Sequence, residues 1–163
     1  AIEIARRGRI DLRLLVVGSG ELERPLREKA AALRLPVTFA GFLNQGEMPR
    51  AYGSADALVL PSDTGETWGL VINEAMASSL PAIVSDRVGC REDLLEEGVT
   101  GFSFPCGDVR ALAGCLTTLA ADSERPAAMG EAARARVHDG YSIDKVVGGT
   151  LAALAAATDG RPR

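Results

Sequence analysis

Residues 57–77 read ALVLPSDTGETWGLVINEAMA, and this stretch sets the expectation for the fold of the whole chain. The apolar run 57–60 is typical of a short buried strand, and residues 61–65 are turn formers. From about Gly69 onward the residues favour a helix. The stretch therefore predicts a strand, a loop and a helix. Glu66 falls on the loop, and Glu74 falls about a turn and a half into the helix, roughly 7 Å along its axis.

The predicted helix start offers free backbone N–H groups at Gly69, Leu70 and Val71. Such groups carry a partial positive charge and suit a phosphate. The two carboxylates of Glu66 and Glu74 do not suit the phosphate itself, but they suit hydroxyl groups attached to it. The residues therefore predict a site for a nucleotide sugar, in which a diphosphate lies between a ribose and a hexose.

Residues 66–77 resemble the Glu-x7-Glu motif of retaining GT-B glycosyltransferases of the group 1, family 4 type. Trp68 stands where that family usually has Phe. The resemblance implies the Rossmann-like donor-binding domain, one half of a GT-B fold, which is usually C-terminal. It also implies that Glu66 contacts hydroxyls of the donor sugar and is the catalytic residue, and that Glu74 binds the ribose. The alternative for Glu74 is a solvated helix glutamate.

The rest of the chain alternates between strand and helix patterns. Strands are expected at about 13–17, 37–40, 57–60, 82–85 and 101–104, and two further helices at about 124–138 and 142–157. Asp108 is an N-cap candidate for the helix after the fifth of these strands, and residues 160–163 are expected to be a polar tail. This order predicts an α/β fold with a doubly wound parallel sheet of five or more strands and helices on both faces. The first strand should be buried on both faces. The next helix should bury Leu22, Leu26, Ala30 and Leu33.

The loops after the predicted strands should meet at one cleft edge, because parallel strands present their carboxyl ends together. The loop Gly18-Ser19-Gly20 has three possible interpretations. It resembles the close-approach loop of the glycosyltransferases, which makes Gly18 and Gly20 ligand-binding candidates. A plain strand-to-helix turn is the second reading. A dinucleotide fingerprint is the third, but it needs a third glycine where the chain has Glu23.

Two further segments resemble landmarks of the family. Residues 39–43 resemble its Phe-x-Gly-aromatic-aliphatic segment, which implies that the backbone N–H and C=O of Leu43 read the nucleobase edge. The alternative is that the phenylalanines of this segment are core residues. Residues 85–92 resemble the family's Ser-Asp loop, although Val88 replaces the first glycine of the usual pair. Residues 129–134 are expected to be structural.

Composition narrows the class of protein. The 163 residues have a net charge of −4, which argues against binding nucleic acid. No apolar stretch approaches the roughly 20 residues needed to span a bilayer. Three cysteines without Cys-x-x-Cys spacing fit packing residues in a reducing compartment. A cytoplasmic protein is therefore expected, and any attachment to the inner membrane face would be through the missing domain. No cluster has metal-ligand spacing, so no metal is expected. No cofactor is expected either, and the donor substrate should be a UDP-, GDP- or ADP-sugar.

Residues 1–163 are expected to be a single donor-binding domain. By the resemblance, this domain is a fragment that lacks the first strand of the intact domain, which would precede the strand at 13–17, and also lacks the N-terminal acceptor domain. By the resemblance, the intact enzyme transfers a hexose with retention to an acceptor glycan, lipid or small molecule. An Arg and a Lys upstream of Ala1 would assist, so the fragment alone should bind nucleotide weakly and transfer nothing. The alternatives are a nucleotide-sugar epimerase of the same architecture, a flavodoxin-like regulatory domain and a structural domain that has kept its site.

Overall fold

The structure, a computed structural model, describes residues 1–8 and 10–159. Strands and helices alternate in the predicted order: α1 Ile2–Arg7, β1 Leu14–Val17, α2 Glu23–Ala32, β2 Val37–Gly41, α3 Met48–Tyr52, β3 Leu58–Leu60, α4 Leu70–Ala77, β4 Ala82–Ser85, α5 Arg91–Leu94, β5 Gly101–Phe104, α6 Val109–Ala120, α7 Arg125–Gly140 and α8 Ile143–Asp159. All five predicted strands are confirmed. The predicted polar tail at 160–163 lies outside the described residues.

All strand pairs are parallel, as predicted, but the strands divide into two sheets. One sheet contains β1 and β2, with Leu14 opposite Val37, and the other has the order β3-β4-β5. Within the described residues, β1 and β3 therefore each form strand hydrogen bonds along one edge only. This arrangement differs from a single continuous sheet, while the α/β parallel class is confirmed. A further strand, expected from the resemblance, stays a prediction.

The core is built around β4, whose four residues have no exposed surface. Ala82 and Val84 point to one face and join a cluster with α4 and α7, including Ile72 and Ala133. Ile83 points to the opposite face, because successive strand residues alternate. It packs with Phe104, Leu119 and Met129. Helices therefore cover both faces of the β3-β4-β5 sheet, as the doubly wound pattern predicts.

The two-stranded sheet is less well covered than predicted. Leu15 of β1 is exposed, so this strand is not buried on both faces. Along α2 only Ala30 is buried, whereas Leu22 is 70% exposed, and Leu26 and Leu33 are exposed as well. The expectation for this helix face was wrong because a sheet of two short strands offers little surface for a helix to cover.

Two details of the helices confirm expectations from the sequence. The side chain of Asp108 caps α6 by accepting from the N–H groups of Arg110 and Ala111, each at 2.9 Å. In α7, a Cβ added at Gly130 would lie 2.0 Å from the carbonyl oxygen of Ser79, so this glycine lets the helix pass close to the end of α4. Residues 129–134 thus have the structural role expected of them.

The last helix, α8, differs from the other long helices in its solvent exposure. Every side chain from Ile143 to Thr158 is exposed, including Ile143 at 81% and Leu151 at 62%. None of the described helices is both long and apolar enough to cross a bilayer.

Candidate functional site

The amino end of α4 is shaped by Gly69, which has φ +98° and ψ 57°. A side chain would be strained in this left-handed conformation. A Cβ there would also lie 3.1 Å from Val88 Cγ1 and 3.3 Å from Leu60 Cδ2. Glycine therefore allows the helix start to sit close against the strand end and the loop after β4.

The first N–H groups of α4 are available to a ligand. Ile72 N–H donates to the carbonyl of Gly69 at 2.8 Å, but no acceptor among the described residues pairs with the N–H groups of Gly69, Leu70 or Val71. The side chains of Leu70 and Val71 are exposed, so packed side chains do not plug this end. The free N–H groups predicted at the start of α4 are therefore present, and anion binding by them stays a prediction.

Loops after three neighbouring strands meet beside this helix start. A Cβ at Gly89 would lie 1.9 Å from the carbonyl oxygen of Thr67, and Cys90 N–H donates to the carbonyl of Trp68 at 2.9 Å. The hydroxyl of Ser85, which is fully buried, donates to the carbonyl of Ser62. These contacts hold the loop after β4 directly against the loop that carries Glu66.

The loop after β5 is tied to the same group, because Asp86 Oδ1 accepts from Cys106 N–H at 2.9 Å. The loops after β1 and β2 are tied to each other, since Gly18 N–H donates to the carbonyl of Gly41 at 2.7 Å. The convergence predicted for five loops is thus seen within two groups. No hydrogen bond joins the two groups in the described part of the chain.

Glu66 is half-buried near the thiol of Cys90. Burial raises the pKa of Cys90 to about 11, and the negative charge of Glu66 adds to the increase. The thiol therefore stays protonated near neutral pH, which fits a packing residue rather than a nucleophile. Glu66 forms no hydrogen bond or ion pair with any described residue, so both its oxygens can accept from ligand hydroxyls.

Glu74 is exposed and has one partner, Tyr52 at the end of α3, whose hydroxyl donates to Glu74 Oε2 at 2.7 Å. Burial raises the pKa of Tyr52, and the bond to Glu74 raises it further. Both residues line a cavity of about 280 Å³ together with Gln45, Met48, Pro49 and Ser78. The carboxylate of Glu74 is solvent-exposed, as the solvated-helix alternative expects, but it also lines a cavity and accepts a hydrogen bond from the buried Tyr52.

Tyr52 was missed from the sequence. It lies 22 residues from Glu74, and no motif marks it. Its position at the end of a short helix before Gly53 was the sole local signal, and that signal predicts a helix end rather than a contact.

The glycine loop borders a second cavity, and Leu43 lies on the next strand-to-helix loop. Gly18 has φ +113°, and Gly18 and Gly20 line a cavity of about 210 Å³ with Leu22, Leu26 and Phe39 among its other walls. The N–H and C=O groups of Leu43 have no partner among residues 1–8 and 10–159. Both backbone groups are therefore free to pair with a ligand, as the resemblance requires. The side chain of Phe39 lies under the Arg27 guanidinium, 4.4 Å from the ring centre.

The side-chain contacts of Trp68 are a second feature that was not predicted from the sequence. Its indole Nε1–H donates to Asn73 Oδ1 at 2.8 Å, and its ring centre lies 6.1 Å from that of Tyr141. The tryptophan was noted from sequence as a departure from the usual Phe, but its partner Asn73 was not recognised. No group of three His, Cys, Asp or Glu residues among those described is placed to hold a metal ion.

Comparison with known proteins supplies the relatives of the chain. The family model described as "Glycosyl transferases group 1" matches residues 1–136. The sulfoquinovosyl transferase SQD2 of Arabidopsis thaliana is 39% identical over 127 residues, which are 76% of this chain and 24% of that protein. A phosphatidyl-myo-inositol mannosyltransferase of Mycobacterium leprae is 38% identical over 109 residues, which are 67% of this chain and 29% of that protein.

Solved structures agree on the fold. Sucrose-phosphate synthase from Thermosynechococcus elongatus has a TM-score of 0.79 at 27% identity, covering 96% of this chain and 41% of that one. HepE from Anabaena in complex with UDP has a TM-score of 0.82 at 23% identity, covering 95% and 44%. The C-terminal domain of a group 1 glycosyl transferase from Francisella tularensis gives 0.74 at 23%, covering 86% and 75%. The chain spans about a quarter to a third of the curated relatives named here.

Proposed function

We propose, from the premise that this chain belongs to the glycosyl transferases group 1 family, that it is the donor-binding domain of a retaining GT-B glycosyltransferase. The intact enzyme would transfer a hexose from a nucleoside diphosphate sugar to an acceptor hydroxyl. Residues 1–163 would form one domain, and an N-terminal domain of the same protein would hold the acceptor. The relatives reported above are glycosyltransferases, which favours transfer over the epimerase and regulatory alternatives.

The observation that carries this proposal is the open start of α4, whose free N–H groups lie in the chain between the loop that carries Glu66 and the helix turn that carries Glu74. The donor's diphosphate would lie against the N–H groups of Gly69, Leu70 and Val71. The negative charge of the diphosphate grows as its bond to the sugar breaks. Backbone N–H groups fixed at this point therefore stabilise the transition state. Glu66 would accept from hydroxyls of the sugar, the role in which we assign it as the catalytic residue.

Glu74 would bind the ribose. The Tyr52 hydroxyl donates to one lone pair of Glu74 Oε2, which leaves the other carboxylate oxygen of Glu74 and its remaining lone pairs for two adjacent ribose hydroxyls. The cavity of about 280 Å³ beside Glu74 offers room for the nucleoside. The free backbone groups of Leu43 would pair with the edge of the base, and the loop with Gly18 and Gly20 would border the donor on its other side.

The relatives' names guide the choice of ligand and acceptor. One relative from Corynebacterium glutamicum is named as GDP-mannose-dependent, and the Anabaena structure contains UDP. We therefore propose a UDP-, GDP- or ADP-sugar as donor, with no metal or other cofactor. Several relatives are named for phosphatidylinositol acceptors. A lipid acceptor at the inner membrane face is accordingly proposed beside a glycan or small molecule.

Calorimetry tests the donor site directly. The 163-residue chain is titrated with UDP, GDP and ADP, and the ligand that binds best is then titrated into Glu74→Ala. Loss of charge-assisted hydrogen bonds to the ribose should weaken binding about 10- to 100-fold. Glu131→Ala is the matched control, because Glu131 is an exposed glutamate on α7. No heat with any of the three at millimolar concentration, or equal affinity in Glu74→Ala and Glu131→Ala, would contradict the proposal.

A further inference from the structure

Trp68 and Asn73 are each adjacent to a residue of the candidate site. Trp68 is two residues after Glu66 and directly before Gly69, and Asn73 directly precedes Glu74. The hydrogen bond between their side chains, 2.8 Å long and partly buried, therefore connects the loop that carries Glu66 to the first turns of α4.

Trp68 is held on three sides. Its indole N–H is bound on α4, its carbonyl accepts from Cys90 N–H at 2.9 Å, and its ring contacts Tyr141 at the end of α7. The indole also packs against the core cluster that contains Ile72 and Val84. The backbone at residue 68 is thus anchored to rigid elements, although Thr64, Gly65 and Thr67 around it are exposed.

Asn73 has a chemical reason to be where it is. Asparagine is an unfavourable residue inside a helix, because its amide competes for backbone hydrogen bonds. A partly buried indole N–H needs an acceptor, which a phenylalanine would not. Asn73 therefore lowers the intrinsic stability of α4 but forms a directional hydrogen bond between the loop and the helix. Two apolar side chains in these positions could not form such a bond.

We propose that the Trp68–Asn73 hydrogen bond is a positioning device that fixes the Glu66 loop relative to α4 and so aligns Glu66 with the sugar of a bound donor. This inference rests on the proposed donor site. Glu74 belongs to α4 and is held separately by Tyr52, so loosening the loop should leave the nucleoside part of the site intact.

Two variants break the bond from either side. Trp68→Phe removes the hydrogen-bond donor, the indole N–H, and keeps an aromatic ring. Asn73→Leu removes the hydrogen-bond acceptor, the amide oxygen. Each is titrated with UDP-glucose, GDP-mannose and ADP-glucose, and with UMP, GMP and AMP. Affinity for the sugar-bearing donor should fall about tenfold while affinity for the matching monophosphate stays unchanged. The double variant should lose no more than either single variant, because both remove the same bond.

Thr100→Val is the matched control for stability. Thr100 is 2% exposed, and its hydroxyl donates to the carbonyl of Leu94 at 3.1 Å and accepts from the N–H of Glu96 at 2.8 Å, neither of which belongs to the Glu66 loop. This variant should lower the melting temperature without changing the ratio of donor to monophosphate affinity. If Trp68→Phe and Asn73→Leu behave like Thr100→Val, or if the losses of the two single variants multiply in the double variant, the pair only supports the fold and the proposal is overturned.

Amide hydrogen exchange tests the inference even if no nucleotide binds. Absence of nucleotide binding would contradict the proposed donor site, but it would not contradict the positioning role of the Trp68–Asn73 bond. The reporter is Cys90 N–H, which donates to the Trp68 carbonyl. In Trp68→Phe and Asn73→Leu it should exchange at least about tenfold faster than in the Thr100→Val control. Equal exchange in the three variants would refute a loop fixed by this bond.

Discussion

Gly89→Ala should damage both the stability and the ligand site, because Gly89 is where the loops after β3 and β4 meet. A Cβ there would lie 1.9 Å from the carbonyl oxygen of Thr67, whereas real Cβ contacts essentially never fall under 3.0 Å. The two backbones must therefore separate by at least 1.1 Å, the difference between these distances. No flexible side chain can absorb the change, since the obstructing atom belongs to the backbone.

Overpacking of this kind costs about 1–3 kcal/mol. For a chain of this size each kcal/mol lowers the melting temperature by about 2–4 °C, so a drop of about 2–12 °C is expected. Thr67 lies between Glu66 and Trp68, so the shift should also misplace Glu66 and weaken binding of the sugar-bearing donor. Calorimetry and thermal unfolding monitored by circular dichroism measure the two effects.

Gly114→Ala is the matched control. Gly114 lies inside α6, with nothing within 4 Å of an added Cβ. Alanine in a helix interior is more favourable than glycine by about 0.5–1 kcal/mol, so this variant should be slightly more stable than the parent. A Gly89→Ala variant with the parent's melting temperature and donor affinity would refute the close approach of the two loops.

Two further predictions concern titratable groups. Tyr52→Phe removes the bond to Glu74 and should lower stability by about 1 kcal/mol in urea unfolding at pH 7. Because burial first and Glu74 second raise the pKa of Tyr52, its stabilisation is fully present below the unfolded pKa of about 10 and is lost as pH rises further. Stability above pH 10 should therefore fall less steeply in Tyr52→Phe, and parallel curves would contradict this. The thiol of Cys90, buried and with its pKa raised to about 11, should react with a disulfide reagent at pH 8 only after unfolding; labelling of Cys90 in the native chain, seen by peptide mapping, would exclude that environment.

The sequence predicted those parts of the fold in which local pattern and tertiary context agree. The apolar run of β4 and the turn formers after β3 each have one consistent reading, and Asp108 caps α6 as expected. The face of α2 was predicted wrongly, because apolar spacing states which side could be buried but not whether a sheet is wide enough to cover it. Leu22 and Leu26 follow the period and remain exposed.

The site shows the same division. Free N–H groups at the start of α4 follow from the glycine and the helix pattern, and the motif marked both glutamates. The bond from Tyr52 to Glu74 spans 22 residues, and the approach of Gly89 to Thr67 joins two loops. Contacts of this kind depend on how strands are placed side by side, which periodicity does not encode. Even the bond from Trp68 to Asn73, only five residues apart, needs a loop conformation that propensity does not specify.

The one-sided pairing of β1 and β3 has a consequence for how the chain behaves in solution. Each strand presents a row of backbone donors and acceptors that no described strand occupies, and their side chains are apolar. Such rows are templates for strand addition by any extended peptide, including a neighbouring copy. At high concentration the 163-residue chain should therefore self-associate over time. Light scattering across a dilution series would show this as a particle size that increases with concentration and with time.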